Sequence, residues 1–306
     1  MSAARWKQHT HVALGLAGLT AALAMLRHTD FHALRTFGPW AGFVVLVEGV
    51  RVVAEALATR ALHGRALRVP WWPMLRAHLA GYALAMTMPA GRTVAEVGKA
   101  AMLAPWAGTS RSVAVGATNQ ALVMLATGLV ALPCSLAAGA RGHVVLAGAV
   151  AVQGVALVGL GGALLAALRS PAVGRWVRRR SARFTGWGAE ASERPPAGGV
   201  AVALGCFAVH RGVQALQVGA LLGALGRADV ARTLGLTGAS IVGTSVGVAV
   251  PGQLGAIGAA MALAAPGLGI PAAQALALAL VIHVAQFTWV ALGFAAWAAT
   301  RAGRPP

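Results

Sequence analysis

Long apolar runs alternate with short polar punctuation along the whole chain. Runs long enough to cross roughly 30 Å of hydrocarbon lie at 11–26, 38–58, 112–132, 144–168, 199–225 and 272–298, which predicts six full transmembrane helices. Two further segments, 74–105 and 233–265, are apolar at both ends but interrupted centrally, at Pro89-Ala90-Gly91 and at Pro251-Gly252-Gln253-Leu254-Gly255. Proline removes a backbone donor and disfavours helix in the residue before it, while glycine accepts a turn. Each segment is therefore expected to be a re-entrant helical hairpin. In the first, one helix should end near Met88 and the next begin near Thr93.

The two breaks are in register. Pro89 with Gly91 corresponds to Pro251 with Gly252, and each break is followed by a short apolar segment and a full span. Polar residues recur in that next span, Asn119 and Gln120 in one copy and His283 and Gln286 in the other. A single break reads equally well as a proline kink. Two at corresponding positions favour hairpins that meet at a transporter-type site. Three crossings separate them, so the second should enter from the opposite face. The expectation is an all-α polytopic membrane protein, about six full helices plus two broken hairpins related by an inverted internal repeat. Residues 1–168 form the first repeat, 169–198 a basic cytoplasmic linker and 199–306 the second repeat.

Composition agrees and removes other classes. With 58% hydrophobic and 10% charged residues and mean hydropathy +0.72 over 306 residues, the chain is unlike a soluble domain. The formal charge of +18 does not point to nucleic acid, because the basic residues cluster between apolar spans and aromatic residues are only 6%. It orients the chain instead. With the N-terminus inside, seventeen basic residues fall on cytoplasmic loops and five outside, leaving Arg51, Arg92 and Arg211 at membrane depth. This arrangement puts both termini in the cytoplasm and treats the first apolar run as an uncleaved helix. The same count hardly changes if the interrupted segments cross fully, so the hairpins rest on their breakers.

The break at Pro89 carries the chemistry. Non-helical backbone at membrane depth leaves amide groups needing partners, unless it lies inside protein or a wet cavity. A half-helix starting there aims its positive end at the midplane, and Arg92 adds a full charge, a combination suited to phosphate. Thr93 and Glu96 have the capping-box spacing. An ionised group at helix centre costs about 2.5–3.5 kcal/mol, so Glu96 should find Arg92 or Lys99. Glu48, Arg51 and Glu55 share one helical face and can pair with one another while lining a route. Arg211, beside His210, is read as a further cavity residue, and Gly255 belongs to the second turn.

Other motifs carry less. Cys134 and Cys206 lie in apolar runs and form no framework. His28 to His32 has ligand residue types but no further acid, so no metal site is assigned. No nucleophile elbow, Walker motif or dinucleotide fingerprint occurs, and neither an enzyme activity nor a cofactor is expected.

The runs "MPAGRTVAEVGKAAML", Met88 to Leu103, and "VPGQLGAIGAA", Val250 to Ala260, resemble the lysylphosphatidylglycerol synthase transmembrane, or flippase-like, family of bacterial and archaeal membrane proteins. The resemblance covers most of the chain. It implies handling of lipid-linked substrates in a cytoplasmic (inner) membrane. The family's second motif usually carries a glutamate after its turn, where this chain has Gly258, Ala259 and Ala260. Arginines that often follow in the next span of each repeat are replaced by Asn119-Gln120 and His283, and no soluble lysyl-transferase domain follows. The expected function is binding and translocation of an anionic phospholipid or polyprenyl-phosphate sugar. The alternative is a non-transporting scaffold that recruits a glycosyltransferase or another lipid-biosynthesis enzyme through the basic linker.

Overall fold

Helix α1, Phe31–His63, turns the usual rule of burial around. Its apolar Leu46 is 73% exposed and Val50, Val53 and Leu57 also face outward, whereas Glu48 is fully buried and Arg51 nearly so. Apolar outside and polar inside is the pattern of a helix surrounded by lipid. Asp30 starts it, its carboxylate accepting from the amides of His32 and Ala33. Gly64, at positive φ, ends it.

The computed structural model describes residues 26–64, 69–170, 195–250 and 255–302, with the isolated positions 20, 23, 172 and 253. Among the described residues every regular element is helical. After α1 come α2 (Trp71–Thr87), α3 (Gly91–Ala107), α4 (Thr109–Ala140), α5 (Val144–Arg169), α6 (Ala197–Ala224), α7 (Val230–Val246), α8 (Ala256–Ala264) and α9 (Ala272–Ala302), with 3₁₀ turns at Gly247–Ala249 and Pro266–Leu268.

Four of these, α4, α5, α6 and residues Ala272–Ala299 of α9, are long and apolar enough to cross a membrane. They coincide with four of the six expected spans. The run at 11–26 lies almost wholly outside the described residues. The run at 38–58 is the middle of α1, which is long enough, but Glu48, Arg51 and Glu55 interrupt its apolar sequence. The expected linker over 169–198 also lies largely outside the described residues.

Both interrupted segments fold back on themselves. In the first, Gly91 approaches Ala85, and Gly98 and Gly81 meet Leu84 and Lys99 across the α2–α3 contact. In the second, Gly243 and Gly247 lie against Ala256, and Gly235 against Leu268. Met88 is extended, as expected before proline, and Ala90 takes the left-handed region at φ 49°. Helix α3 then starts at Gly91 rather than near Thr93, because Ala90 already makes the turn and its carbonyl accepts from the Thr93 amide at 2.9 Å. At about 1.5 Å per residue, the nine residues of α8 reach only about 13 Å, far short of a crossing.

Small residues let the helices approach. A methyl group on Gly128 of α4 would lie 2.6 Å from the Gly154 carbonyl oxygen of α5, and one on Gly161 would lie 2.7 Å from that of Ala121. Without a hydrophobic force between helices in lipid, such close backbone contact supplies van der Waals attraction. The main packing pairs are α4 with α5, α6 and α7, α1 with α6 and α9, α2 with α3 and α9, α3 with α4, α7 with α8, and α8 with α9. Exchanging α1–α4 with α6–α9 maps these contacts onto one another, with α5 outside the scheme. The largest apolar cluster, including Phe37, Leu221, Leu236, Met261 and Leu278, binds α1, α6, α7, α8 and α9 together.

At one end of the bundle Asp229 joins two connections. It receives Arg141 at 2.6 Å and Arg232 at 3.2 Å, and it caps α7 through the Arg232 amide at 2.8 Å. Lost solvation works to raise its carboxyl pKa, but the Arg232 amide and the Arg141 guanidinium outweigh it and hold it below the ordinary range.

Two outcomes test this fold. Gly91→Ala, whose new methyl would collide with the Ala85 carbonyl oxygen, should destabilise by about 1–3 kcal/mol, whereas Ala90→Gly should raise the unfolding temperature in detergent. The second concerns Asp229→Asn. Because the folded pKa is lowered, wild type should hold its advantage above about pH 4 and lose it as pH falls through the folded value, as thermal unfolding of both proteins across acid pH would record.

Candidate functional site

Charged side chains inside an apolar bundle must find partners, and here they find one another. Glu48 and Arg51, one helical turn apart on α1, pair at 2.8 and 2.9 Å. Glu48 also accepts from the hydroxyl of Tyr82 on α2 at 2.5 Å and from the amide nitrogen of Gln217 on α6 at 2.9 Å. Arg51 reaches His210 Nε2 on α6 at 2.9 Å. A guanidinium only donates, so Nε2 must accept, and the ring proton sits on Nδ1. That nitrogen lies 3.3 Å from Glu55 Oε1.

Glu55 departs from the pairing expected within α1. It accepts from Arg92 Nη1 at 2.8 Å, across to the second residue of α3, and lies 4.0 Å from Lys99. Glu96 pairs with Lys99 at 2.7 Å and lies 4.0 Å from Arg92. The capping box is not formed. Thr93 sits within the first turn of α3, the cap residue is Ala90 with no side-chain bond, and the Glu96 carboxylate turns to Lys99 instead. Arg92 Nε and Nη2 are left buried without hydrogen-bond partners.

These groups border a cavity of about 250 Å³ between the two hairpins. The first hairpin contributes Tyr82, Gly91, Arg92, Glu96 and Lys99. The second contributes Thr244, Ser245, Val250, Gln253 and Ile257. Gln253, at φ 53°, and Gly255, at φ 83°, form part of its turn. The sequence-derived residues Pro251 and Gly252 of that turn lie outside the described residues. Arg51 and Glu55 from α1, Gln120 from α4, Arg211 from α6 and Gln286 from α9 also line it.

Other expected site residues stand back from the cavity. Pro89, Thr93 and Gly255 shape the turns without lining it, and Glu48 lies behind Arg51. Asn119 is buried and donates to Thr59 at 2.8 Å, next to a far smaller hollow of about 10 Å³ bordered by His63, Glu96, Lys99 and Ser112. His283 is buried, with Nδ1 2.7 Å from the Ala279 carbonyl of its own helix.

The sequence reading missed Tyr82, Gln214 and Gln217 and gave His210 no role. Yet His210, Gln214 and Gln217 fall at i, i+4 and i+7 in a span that is apolar apart from these and Arg211, and Tyr82 is the only tyrosine in the chain. That polar stripe was the available signal. Among the described residues no group of three or more His, Cys, Asp or Glu could hold a metal ion.

Neither a curated protein nor a solved structure gives a significant match to the chain. The family model described as lysylphosphatidylglycerol synthase TM region matches residues 11–294, nearly the whole sequence and both hairpins. With long apolar helices, polar groups turned inward and that match, the chain belongs to the integral membrane family of the lysylphosphatidylglycerol synthase TM region.

Proposed function

We propose that the protein binds the headgroup of an anionic, phosphate-bearing lipid or lipid-linked sugar in the cavity between its hairpins and passes it across the membrane. The observation that carries this reading is the convergence of both hairpin turns on one polar hollow inside an apolar bundle. Its volume of about 250 Å³ falls just below the roughly 300–1,000 Å³ of pockets that enclose drug-sized ligands, so it takes a headgroup while the lipid tails stay outside. Arg92, with two donor nitrogens that make no hydrogen bond to the described residues, stands at the start of α3, where the helix dipole also favours an anion.

The packing supports the inverted-repeat reading, because its main contacts survive exchange of the two halves. Three long helices, α4, α5 and α6, lie between the hairpins, so the two would enter from opposite faces of a bacterial or archaeal cytoplasmic membrane, with both termini inside. Transport by such folds moves one set of helices against another around a fixed site. The role is that of a carrier, and none of the residues at the cavity is assigned to bond-making chemistry.

In vesicles carrying headgroup-labelled phosphatidylglycerol, wild type should move the label at least about tenfold faster than Arg92→Ala or Glu96→Gln, and equal rates in all three would refute the proposal. Replacing residues 171–194 by a Gly/Ser segment of equal length should leave that rate within about twofold. Function in cells that is lost with the segment but survives Arg92→Ala would instead favour a scaffold for a glycosyltransferase or other lipid-biosynthesis partner.

A further inference from the structure

The charges around the cavity balance pair by pair except at one place. Glu48 meets Arg51, Glu55 meets Arg92 and Glu96 meets Lys99. Arg211 meets no carboxylate among the described residues. Its Nε donates to Thr127 Oγ1 and its Nη1 to Gln214 Oε1, both at 2.9 Å, and Nη2 makes no hydrogen bond to a described residue. Gln214 is fixed in turn by donating to Ser240 Oγ at 2.8 Å. Neutral groups from α4, α6 and α7 therefore hold a cation at the cavity wall and leave its charge unmatched. A guanidinium withdrawn from bulk water without a counter-ion is costly, and an incoming phosphate removes that cost with a geometry that suits the planar fork.

The same pairing leaves nothing for a positively charged headgroup. Each carboxylate near the cavity already accepts from a cation of the protein, and Tyr82, the one Phe, Tyr or Trp ring among the described residues of the wall, gives its hydroxyl to Glu48. An ammonium would find neither a free carboxylate nor an aromatic cage. Two neutral readers do remain. Gln120 and Gln286 line the cavity from α4 and α9, and the side-chain oxygen of each is buried without a partner. Hydroxyl groups of a ligand would satisfy them, and a ligand lacking hydroxyls would leave them unpaired.

We infer that the cavity selects a net-anionic phosphate ester with a hydroxylated headgroup, a glycerol or a sugar, over amine-bearing headgroups, with Arg211 as the phosphate's counter-ion and Gln120 and Gln286 reading the hydroxyls. This rests on the lipid-binding reading of the same cavity and names its ligand class. The lysine ester in the family's name carries ammonium groups and falls on the disfavoured side.

Competition binding to the full chain in detergent tests the inference, with phosphatidylglycerol, phosphatidylinositol, phosphatidic acid, phosphatidylethanolamine, lysyl-phosphatidylglycerol and a polyprenyl-phosphate mannose as probes. At least one of the hydroxylated anionic probes should bind about tenfold or more tightly than either amine-bearing lipid. Preference for the glycerol or inositol lipids identifies a phospholipid source, and preference for the mannose probe a lipid-linked sugar. Arg211→Gln should weaken the preferred probe about tenfold, and Arg211→Lys should recover most of that loss. Gln120→Leu with Gln286→Leu should weaken the preferred hydroxylated probe but not phosphatidic acid.

Amine lipids binding as tightly as every hydroxylated anionic probe, or Arg211→Gln binding like wild type, would overturn the inference. Should Arg211→Gln fail to fold, as its unfolding temperature would reveal, the wild-type probe series decides alone. If binding persists and Arg92→Ala weakens it but the selectivity is wrong, only this inference fails. If no probe binds in a headgroup-dependent way, the cavity reading fails with it.

Discussion

An ionised group inside an apolar bundle has to be met by an opposite charge, and in this protein Glu55 is where that demand is concentrated. It joins α1 to Arg92 at the turn of the first hairpin and faces His210 on α6. Withdrawing any partner would strand a buried charge, which is far costlier than the pair is favourable. The hairpin turn is thereby tied to the two helices that pack on each other across the halves of the chain. The position of the cavity follows from that tie.

Around this network the backbone supplies what side chains do not. Glycines bring α4 and α5 into carbonyl contact, and Gly91 lets the first hairpin close against Ala85. Each hairpin also rests on the span that follows the other one, α4 against α7 and α9 against α2. The two turns are consequently held by shared supports. A displacement of either is felt by the helix leaving its counterpart, which is the mechanical requirement for a site built between two repeats.

The electrostatics divide the cavity wall. On the side of the first hairpin, Arg92 and Lys99 are matched by Glu55 and Glu96. On the side of α6, Arg211 is oriented by neutral oxygens. A wall with balanced pairs on one side and an uncompensated cation on the other carries a field directed at an anion, without acidic groups left to attract a cation.

Much of this was written in local patterns. Unbroken apolar runs give helices because only an internally hydrogen-bonded backbone survives in lipid, so α4, α5, α6 and α9 could be read directly. Proline sets the break near Met88 through its own backbone restrictions, although Ala90 rather than a glycine takes the left-handed position and Gly91 serves the close approach to Ala85. The Glu48–Arg51 and Glu96–Lys99 pairs follow from i, i+3 spacing on one helix. Contacts between helices could not be read in that way. That Glu55 leaves its own helix for Arg92, that Thr93 does not cap, that Asn119 turns to Thr59 while Gln120 faces the cavity, and that Arg211 meets no carboxylate among the described residues all depend on which helix faces are brought together. Chain spacing sets what neighbours on one helix can do. Partners a hundred residues apart are chosen only when packing of small residues fixes the rotation and depth of each helix, and with it the surroundings of every buried charge.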